Sequence, residues 1–360
     1  MKNPMMFVAV VITAIISSCN MGERTFIASG YSGDGAADVL LCRLNGNGSI
    51  EKITGITVGD NPSYFTFGRG GLIYLVNEVD TFHMKAGGGI TTLRYDKKSK
   101  SLEKVGSMNQ GGGGPCHIEV SVDGKYLITA NYGSGSVSVV KLNSEGIPEK
   151  VTDVIFYGEK SHPHMTIHNP RLHTYYVSDL GLDRVHQLKL DTTLGLLMNA
   201  DIAYFNSEPG SGPRHMAIDN SSANLYVINE LSSSMSVYNI LSDTVTARQT
   251  VSTLPEGYTE KSFCADIHLS RNGKKIYGSN RGHNSIVTLR VGADGTLSEP
   301  SHRDCGGNWP RNFAVSPSGK LFLVANQRSN EISVIYDWDK NDEAVSTLTL
   351  NASSCVRFLD

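Results

Sequence analysis

The chain has 360 residues, of which 32 are basic, 35 are acidic and 39% are hydrophobic, with a formal net charge of −3. This balance excludes an intrinsically disordered chain, which would lack the apolar side chains for a core. It also argues against nucleic acid or an anionic membrane as a partner bound through bulk positive charge. The 37 glycines exceed the usual ~7% share and need a structural explanation.

The first residues are typical of a bacterial lipoprotein signal peptide. Lys2 precedes an apolar run from Met5 to Ile16. A run of about twelve residues is too short to span a bilayer as a helix, which takes about 20, but it fits the hydrophobic part of a signal peptide. The run leads into Ile16-Ser17-Ser18-Cys19, which resembles a lipobox, the motif whose cysteine is lipidated and becomes the mature N-terminus.

We therefore predict a lipoprotein signal peptide at residues 1–18, a lipidated Cys19 and a short tether at 20–24. The lipid would hold the protein at the cell envelope, on the periplasmic face or at the outer membrane, as its only membrane contact. Ordinary cleavage nearby, with Cys19 incidental, is the alternative. Without a functional signal the protein would be cytoplasmic.

After Cys19 the sequence repeats with a period of about 50 residues. Six units are recognised by a shared first position, most often a proline, which we call the lead position. Each unit has an Asn or Asp about 16 residues after it. The lead positions are 62, 115, 163, 213, 264 and 310, and the Asn or Asp residues are at 77, 131, 179, 229, 280 and 326. Repeats of this length are typical of propellers and other repeat arrays.

Each unit has the pattern of short strands joined by turns. In the fourth unit, strands rich in Val, Ile and Tyr are expected at Met216–Ile218, Leu225–Ile228, Met235–Ile240 and about Val245–Thr250. Repeated four-stranded antiparallel units predict an all-β propeller. The many hairpin turns would explain the glycines, which adopt positive φ without steric cost.

The two ends of the chain predict the number of blades. Two N-terminal strands, Thr25–Gly30 and Val39–Leu44, have no partners before them, and Ser354–Leu359 has none after it. Joined, these strands complete a seventh blade and close the ring. Residues 25–360 are therefore predicted to form a single seven-bladed β-propeller.

The remaining five cysteines argue for packing rather than for cross-links or metal. Their number is odd, their spacing is wide and no CxxC motif is present, which is unlike a disulfide framework or a zinc site. We expect buried free thiols, no metal and no cofactor. The five are Cys42, Cys116, Cys264, Cys305 and Cys355.

The departures from the repeat cluster on one face of the predicted ring. In a meandering blade, the connection before the first strand and the connection after the second lie on the same face, near the central channel. The opposite face carries generic turns such as Val122-Asp123-Gly124-Lys125. On the first face, the residues after the lead positions are Ser63, Cys116, His164, Arg214, Ala265 and Arg311, and those after the Asn or Asp are Glu78, Tyr132, Leu180, Glu230, Arg281 and Gln327.

These residue types predict a site for an anionic or strongly polar ligand. Arg214, Arg281 and Arg311 come from three units, and uncompensated they would repel unless a carboxylate, phosphate or oxyanion joined them. His164 is suited to general acid–base work, and Glu230 could orient it, take a proton itself or pair with an arginine. Without a serine or cysteine nucleophile motif, attack by an activated water with guanidinium stabilisation of the oxyanion fits best. Structural ion pairs between blades are the alternative.

At these residues the sequence resembles the lactonase family of seven-bladed propellers, which includes propeller-type 6-phosphogluconolactonase and carboxy-cis,cis-muconate cyclase. The similarity runs from about Thr25 to Leu359. The blocks that carry it are Gly212-Pro213-Arg214-His215 with Asn229-Glu230-Leu231, Asp179-Leu180-Gly181-Leu182-Asp183-Arg184, Asn280-Arg281-Gly282-His283, and Trp309-Pro310-Arg311 with Asn326-Gln327.

The resemblance implies a cleft at the channel mouth that acts on a lactone or a carboxylated diene. By position, the implied catalytic residues are His164, Glu230, Arg214 and Arg281, and the implied ligand contacts are Arg311 and His215. His162, His283 and Gln327, near the same face, are further candidates for substrate contact, although a packing or supporting role is favoured for each histidine.

We therefore predict a monomeric lactonase that hydrolyses 6-phospho-D-glucono-1,5-lactone or a related aldonolactone. The phosphorylated lactone is a cytoplasmic intermediate, so the signal peptide favours an unphosphorylated sugar lactone. A ring-closing enzyme of the muconate type, or a non-catalytic binding propeller, remains the alternative.

Overall fold

The computed structural model describes residues 22–33, 35–241, 244–337 and 344–359, so the predicted signal peptide and Cys19 lie outside the described residues. The described strands form seven four-stranded antiparallel sheets and one two-stranded hairpin. The predicted all-β, seven-bladed propeller is confirmed. In the described ranges, the only helical segment is a 3₁₀ turn at Arg69–Gly71, and no helix is long and apolar enough to cross a membrane.

The strands are numbered along the chain. The first three are β1 (Arg24–Gly30), β2 (Val39–Leu44) and β3 (Ile50–Ile56). Blade 1 follows with β4 (Pro62–Phe67) and β5 (Leu72–Asn77), an inserted hairpin of β6 (Thr81–Phe82) and β7 (Lys85–Ala86), and then β8 (Gly89–Asp96) and β9 (Ser101–Asn109). Blade 2 has β10 (Pro115–Val120), β11 (Tyr126–Asn131), β12 (Ser136–Leu142) and β13 (Pro148–Phe156), and blade 3 has β14 (Pro163–Asn169), β15 (Thr174–Asp179), β16 (Arg184–Asp191) and β17 (Leu196–Asn206).

The second half of the ring repeats this plan. Blade 4 has β18 (Pro213–Ile218), β19 (Asn224–Asn229), β20 (Ser234–Ile240) and β21 (Val245–Ser252). Blade 5 has β22 (Phe263–Leu269), β23 (Lys275–Arg281), β24 (Ser285–Val291) and β25 (Leu297–Asp304), and blade 6 has β26 (Pro310–Val315), β27 (Leu321–Asn326), β28 (Glu331–Tyr336) and β29 (Ser346–Thr349). Blade 7 is completed by β30 (Ser353–Phe358).

The first strand of each of blades 1–6, together with β30, lines the central axis. Neighbouring members of this set (β4, β10, β14, β18, β22, β26 and β30) pack against one another around the ring. The predicted lead positions fall at the start of these strands, and the recurrent Asn or Asp closes, or nearly closes, the second strand opposite. Both connections therefore reach the same face, as the sequence predicts.

The ring closes by pairing the two ends of the chain. β30 lies antiparallel to β1, with Ala28 opposite Val356, and β2 and β3 follow outwards. Phe26, Ala28 and Val356 are fully buried in the core that joins blade 7 to blade 6. The predicted closure is confirmed, and the structure adds β3, a strand that the sequence analysis did not identify.

Tyrosines tie neighbouring blades together. Tyr74, Tyr126 and Tyr226 lie on second strands, are buried, and donate their hydroxyl groups to carbonyl oxygens in the outer turn of the next blade. The distance from the Tyr74 hydroxyl to the Gly146 carbonyl oxygen is 2.6 Å. Each such side chain buries a large apolar ring and still satisfies its polar atom.

The recurrent asparagines and the cysteines have structural roles. Asn229 is fully buried and donates through Nδ2 to the hydroxyls of Ser234 and Ser236, both at 2.9 Å. Equivalent buried bonds hold Asn77, Asn131, Asn280 and Asn326, so these residues fix loop backbone and turns, as predicted. The five described cysteines are free and buried, which confirms the expectation for them.

We predict that Gly30→Ala weakens the closure of the ring. A methyl group at Gly30 would overlap the carbonyl oxygen of Asn351 at the seam between β1 and β30. Overpacking of this kind costs about 1–3 kcal/mol or more, so thermal unfolding followed by circular dichroism should show a lower Tm. Gly106→Ala on outer strand β9, where the added methyl group meets only the flexible Ile147 side chain at 3.1 Å, is the control. Equal stability of the two variants would contradict this role of the seam.

Candidate active site

A β-bulge near the start of each innermost strand points one extra residue towards the axis. In blade 3, Pro163 pairs with Asp179 and Met165 with Ser178, so His164 has no partner across the ladder. Bulges re-aim side chains next to active sites. The same irregularity leaves out Ser63, Cys116, Arg214, Arg311 and Ser354, and in blade 5 it falls at Ala265–Asp266.

The bulges surround a small cavity on the axis. Its volume of about 10 Å³ is room for about one water molecule. Six of the lining residues occupy the bulge positions and three directly follow one. They are Ser63, Tyr64, Cys116, His164, Arg214, His215, Arg311, Asn312 and Ser354.

A larger surface depression exists on the opposite face. Its volume is about 1110 Å³ and it lies between the turns around Asn272 and Ser318. No residue of the predicted site lines it. The axial cavity is therefore the better candidate for the functional centre.

Glu230 joins two of the predicted arginines at the mouth of this cavity. Its Oε2 lies 2.8 Å from Arg214 Nε and 2.8 Å from Arg281 Nη2. Backbone carbonyls complete the arrangement, since Arg214 donates to Ala265 and Arg281 donates to Phe263 and Cys264. Of the roles left open for Glu230, the geometry supports pairing with arginine.

The pKa values follow from this pairing. Burial would raise the pKa of Glu230, but the charges of Arg281 and Arg214 outweigh it and hold the pKa below its usual range. Burial and the charge of Arg214 lower the pKa of Arg281 to about 10, so it stays protonated at neutral pH. The carboxylate and both guanidiniums are therefore ionised together.

The third arginine has its own acidic partner. Arg311 Nη2 lies 3.4 Å from Glu78 Oε2, and Tyr31 donates its hydroxyl to the same oxygen at 2.7 Å. All three arginines therefore have a carboxylate partner, as in the alternative of structural ion pairs. Glu230 and Glu78 thus offset much of the positive charge of the three guanidiniums.

Two imidazoles line the cavity and both are neutral at pH 7. His164 and His215 have ring centroids 5.2 Å apart. Burial, and then the charge of Arg214, lowers the pKa of both, that of His215 to about 4. His215 Nδ1 lies 2.8 Å from Asp266 Oδ1, whereas the buried Nδ1 of His164 has no hydrogen-bond partner among the described residues.

Three of the predicted substrate contacts do not line the cavity. The ring of His162 stacks on Tyr132 at the rim, with centroids 4.4 Å apart. His283 bonds to Ser285 and packs against Tyr258. Gln327 donates its backbone N–H to the carbonyl of Trp309. They lie just after a second strand or just before an innermost strand, and their contact with a substrate stays a prediction.

The sequence analysis missed several residues of the site. Asp266 and Asn312 follow lead positions by two residues, as His215 does, so extending the comparison of the units by one position would have found them. Ser354 occupies the bulge position of the seventh blade. Tyr31 precedes all six units, and no repeat signal marked it. Among the described residues no cluster of three or more His, Cys, Asp or Glu is placed to hold a metal ion.

Comparison with known proteins gives consistent results. A family model described as "Lactonase, 7-bladed beta-propeller" matches residues 25–358. The chain is 30% identical to 6-phosphogluconolactonase of Bacillus subtilis, over 83% of this chain and 87% of the relative. It is 32% identical to 6-phosphogluconolactonase of Formosa agariphila, over 79% and 84%. A periplasmic gluconolactonase of Pseudomonas aeruginosa has a similar structure, with a TM-score of 0.85, 27% identity and coverage of 94% of this chain and 99% of that one.

We predict that Glu230→Gln destabilises the protein at neutral pH but much less in acid. Removing the carboxylate leaves two buried guanidiniums unpaired, at a cost on the order of 3 kcal/mol. Because folding lowers the pKa of Glu230, its contribution is present above the unfolded value of about 4.3 and lost as pH falls through the folded value.

Thermal unfolding of the wild type and this variant between neutral and acidic pH tests the prediction. The difference in Tm should shrink below about pH 4. Glu299→Gln is the control, because Glu299 pairs with Arg290 on the surface, with 64% of its side chain exposed, and exposed pairs contribute little. A pH-independent difference for Glu230→Gln would show that its charge is not what stabilises the site.

Proposed function

The chain belongs to the lactonase family of seven-bladed β-propellers, and we propose that it hydrolyses the ester bond of a sugar lactone at the axial cavity. The observation that carries the proposal is a water-sized cavity bordered by two neutral imidazoles and two guanidiniums. Neutral imidazole accepts a proton from water, and guanidinium stabilises the oxyanion that forms. These are the groups that hydrolysis of an ester requires when no side chain acts as the nucleophile.

The reaction follows from this arrangement. A cavity imidazole takes a proton from a water molecule while the water oxygen attacks the lactone carbonyl carbon. The π electron pair of the carbonyl moves to the carbonyl oxygen, which becomes the oxyanion. The tetrahedral intermediate then collapses, the bond from carbon to ring oxygen breaks, and the imidazolium returns its proton to that oxygen. The product is an open-chain hydroxy acid.

The arginines have different roles in this scheme. Arg214 forms an ion pair with Glu230, with Nε 2.8 Å from Oε2, and donates through Nη1 to the carbonyl of Ala265. Among the described residues Arg311 is held through Nη2 alone, so it keeps more N–H groups for the substrate oxygen. Glu230, ionised and bound by two guanidiniums, is unsuited to accept a proton and instead fixes the positions of both.

The charge at the mouth supports an unphosphorylated aldonolactone of the D-glucono-1,5-lactone type. Glu230 and Glu78 already pair with the three arginines, so little positive charge is left for a substrate phosphate. A phosphate monoester would bring a further charge of about −1.5 to −2. The similar structure from Pseudomonas aeruginosa is described as a gluconolactonase, whereas the two relatives given above carry the name of the phosphorylated substrate.

The location predicted from residues 1–19 is part of the same proposal. A lipidated Cys19 would tether the propeller at the cell envelope, away from cytoplasmic sugar phosphates. The description of the similar Pseudomonas aeruginosa protein as periplasmic agrees with this location. An envelope location and an unphosphorylated substrate therefore support each other.

We predict that the purified full-length protein hydrolyses D-glucono-1,5-lactone and that a 6-phosphate does not raise kcat/KM. Acid release in a pH-stat, corrected for spontaneous hydrolysis, measures both substrates. Arg311→Met should lower kcat by about 10²–10³ because it removes an oxyanion donor. Arg248→Met, on the surface of blade 4 and paired only with Asp294 in the described residues, should keep wild-type activity. Failure to hydrolyse either lactone would contradict the proposed function.

We also predict that Cys19→Ser releases the protein from the envelope. Expressed in a bacterial host, the wild type should enter the detergent phase in a phase-partition experiment, and the variant should stay in the aqueous phase because the lipid is missing. Cys42→Ser, which changes a buried thiol of the propeller, should behave as the wild type. A wild-type protein found in the aqueous phase would rule out the lipid anchor.

A further inference from the structure

Asp266 is a buried carboxylate with four hydrogen-bond donors around it. Oδ1 lies 2.8 Å from His215 Nδ1. Oδ2 lies 2.8 Å from His268 Nε2 and accepts from the side-chain amide of Asn312 at 2.5 Å and the backbone N–H of Phe313 at 3.2 Å. Burial would raise the pKa of Asp266, but these partners, above all His268 and His215, hold it well below its usual range. The carboxylate is therefore ionised and acts only as an acceptor.

An ionised Asp266 determines the tautomer of His215. Because the carboxylate can only accept, Nδ1 of His215 carries the proton and donates it. The lone pair of the neutral ring is then on Nε2, and His215 lines the axial cavity. A carboxylate that orients a histidine in this way also stabilises the imidazolium when the ring takes a second proton.

His164 lies in the same cavity but lacks this support. Its buried Nδ1 has no hydrogen-bond partner among the described residues, and the permanent charges that act on it most are those of Arg214 and Arg311. A proton placed on His164 would create a buried positive charge next to guanidiniums, which is costly. A proton placed on His215 is instead stabilised by the adjacent carboxylate of Asp266.

We propose that His215 is the general base of the proposed hydrolysis and that Asp266 is the residue that positions it, an inference that rests on the proposed lactonase function. Nε2 of His215 takes the proton of the attacking water while Nδ1–H stays bonded to Asp266. When the bond from carbon to ring oxygen breaks, Nε2 returns the proton to that oxygen. Asp266 remains ionised throughout, and His164 serves as a polar contact to the substrate.

The surroundings of His215 give the pH dependence a definite sign. The charge of Arg214 lowers the pKa of His215 and Asp266 raises it, which with burial gives a value of about 4. The wild-type kcat/KM should therefore be constant near neutrality and fall as pH drops through about 4. The titratable or charged groups that face the ring are Arg214, Asp266, His268, His164, His117 and Tyr64.

Three variants assayed on D-glucono-1,5-lactone separate the roles. His215→Gln should lower kcat by about 10²–10⁴, the usual contribution of a general base, whereas His164→Gln should act mainly on KM. Asp266→Asn should lower kcat with little change in KM and move the acidic limb of kcat/KM to lower pH, because the group that raises the pKa of His215 is lost. His186→Gln is the control, since His186 is also buried and bonded to an aspartate, Asp179, at 3.0 Å, but does not line the cavity.

A measurement independent of activity keeps the two proposals apart. Nitrogen-15 NMR of the histidine rings should show His215 as the Nδ1–H tautomer at pH 7 in the wild type, and His215→Gln assigns its signals. If the wild type hydrolyses no lactone, the proposed function fails even where the tautomer is as expected. If the wild type is active but His215→Gln keeps its kcat, or if His215 is the Nε2–H tautomer, this inference is overturned while the function stands. If Asp266→Asn does not fold, the comparison of His215→Gln with His164→Gln still decides which histidine is the general base.

Discussion

Each innermost strand of the propeller contains one residue more than its partner strand can pair, and the rest of the site depends on this constraint. An unpaired residue in a sheet disrupts the ladder locally and turns its side chain out of the alternating pattern. Repeated around a seven-fold ring, the bulges collect His164, Arg214 and Arg311 from three blades on one axis. No loop is needed to bring them together, because each lies on a strand that pairs with the second strand of its blade and packs against the neighbouring innermost strands.

Burying charge at that axis requires compensation, and three carboxylates provide it. Glu230 bridges Arg214 and Arg281, Glu78 pairs with Arg311, and Asp266 accepts from His215. An uncompensated buried ion costs several kcal/mol of stability. Separating a carboxylate from its partner would incur this cost, so each pair stays in one geometry. The donors are thus oriented before a substrate arrives, and preorganised donors of this kind stabilise a developing oxyanion best. In the proposed mechanism, the acidic residues orient other side chains and do not act on the substrate.

The hydrogen bonds within and between the blades hold the bulge residues in fixed positions. Buried asparagines such as Asn229 and Asn280 tie the loops of the same face to the sheet, and tyrosine hydroxyls join successive blades. The pairing of β1 with β30 prevents the ring from opening. A mispositioned blade would move a bulge residue relative to its partners, so ring closure and site geometry depend on each other.

The sequence by itself determined the repeat, the blade number, the joining of the two ends and the face that carries the site. Those features follow from local patterns of strands and turns at a period of about 50 residues, and the positions of His164, Arg214 and Arg311 at the axis follow from them. β3 was missed because its polar, half-exposed sequence lacks the apolar pattern of a buried strand. The tertiary structure alone decided which charges pair, since Glu230 meets Arg214 within blade 4 and Arg281 from blade 5, and His215 meets Asp266, 51 residues away. It also placed His283 and Gln327 outside the cavity, because both follow second strands, which lie one strand away from the axis.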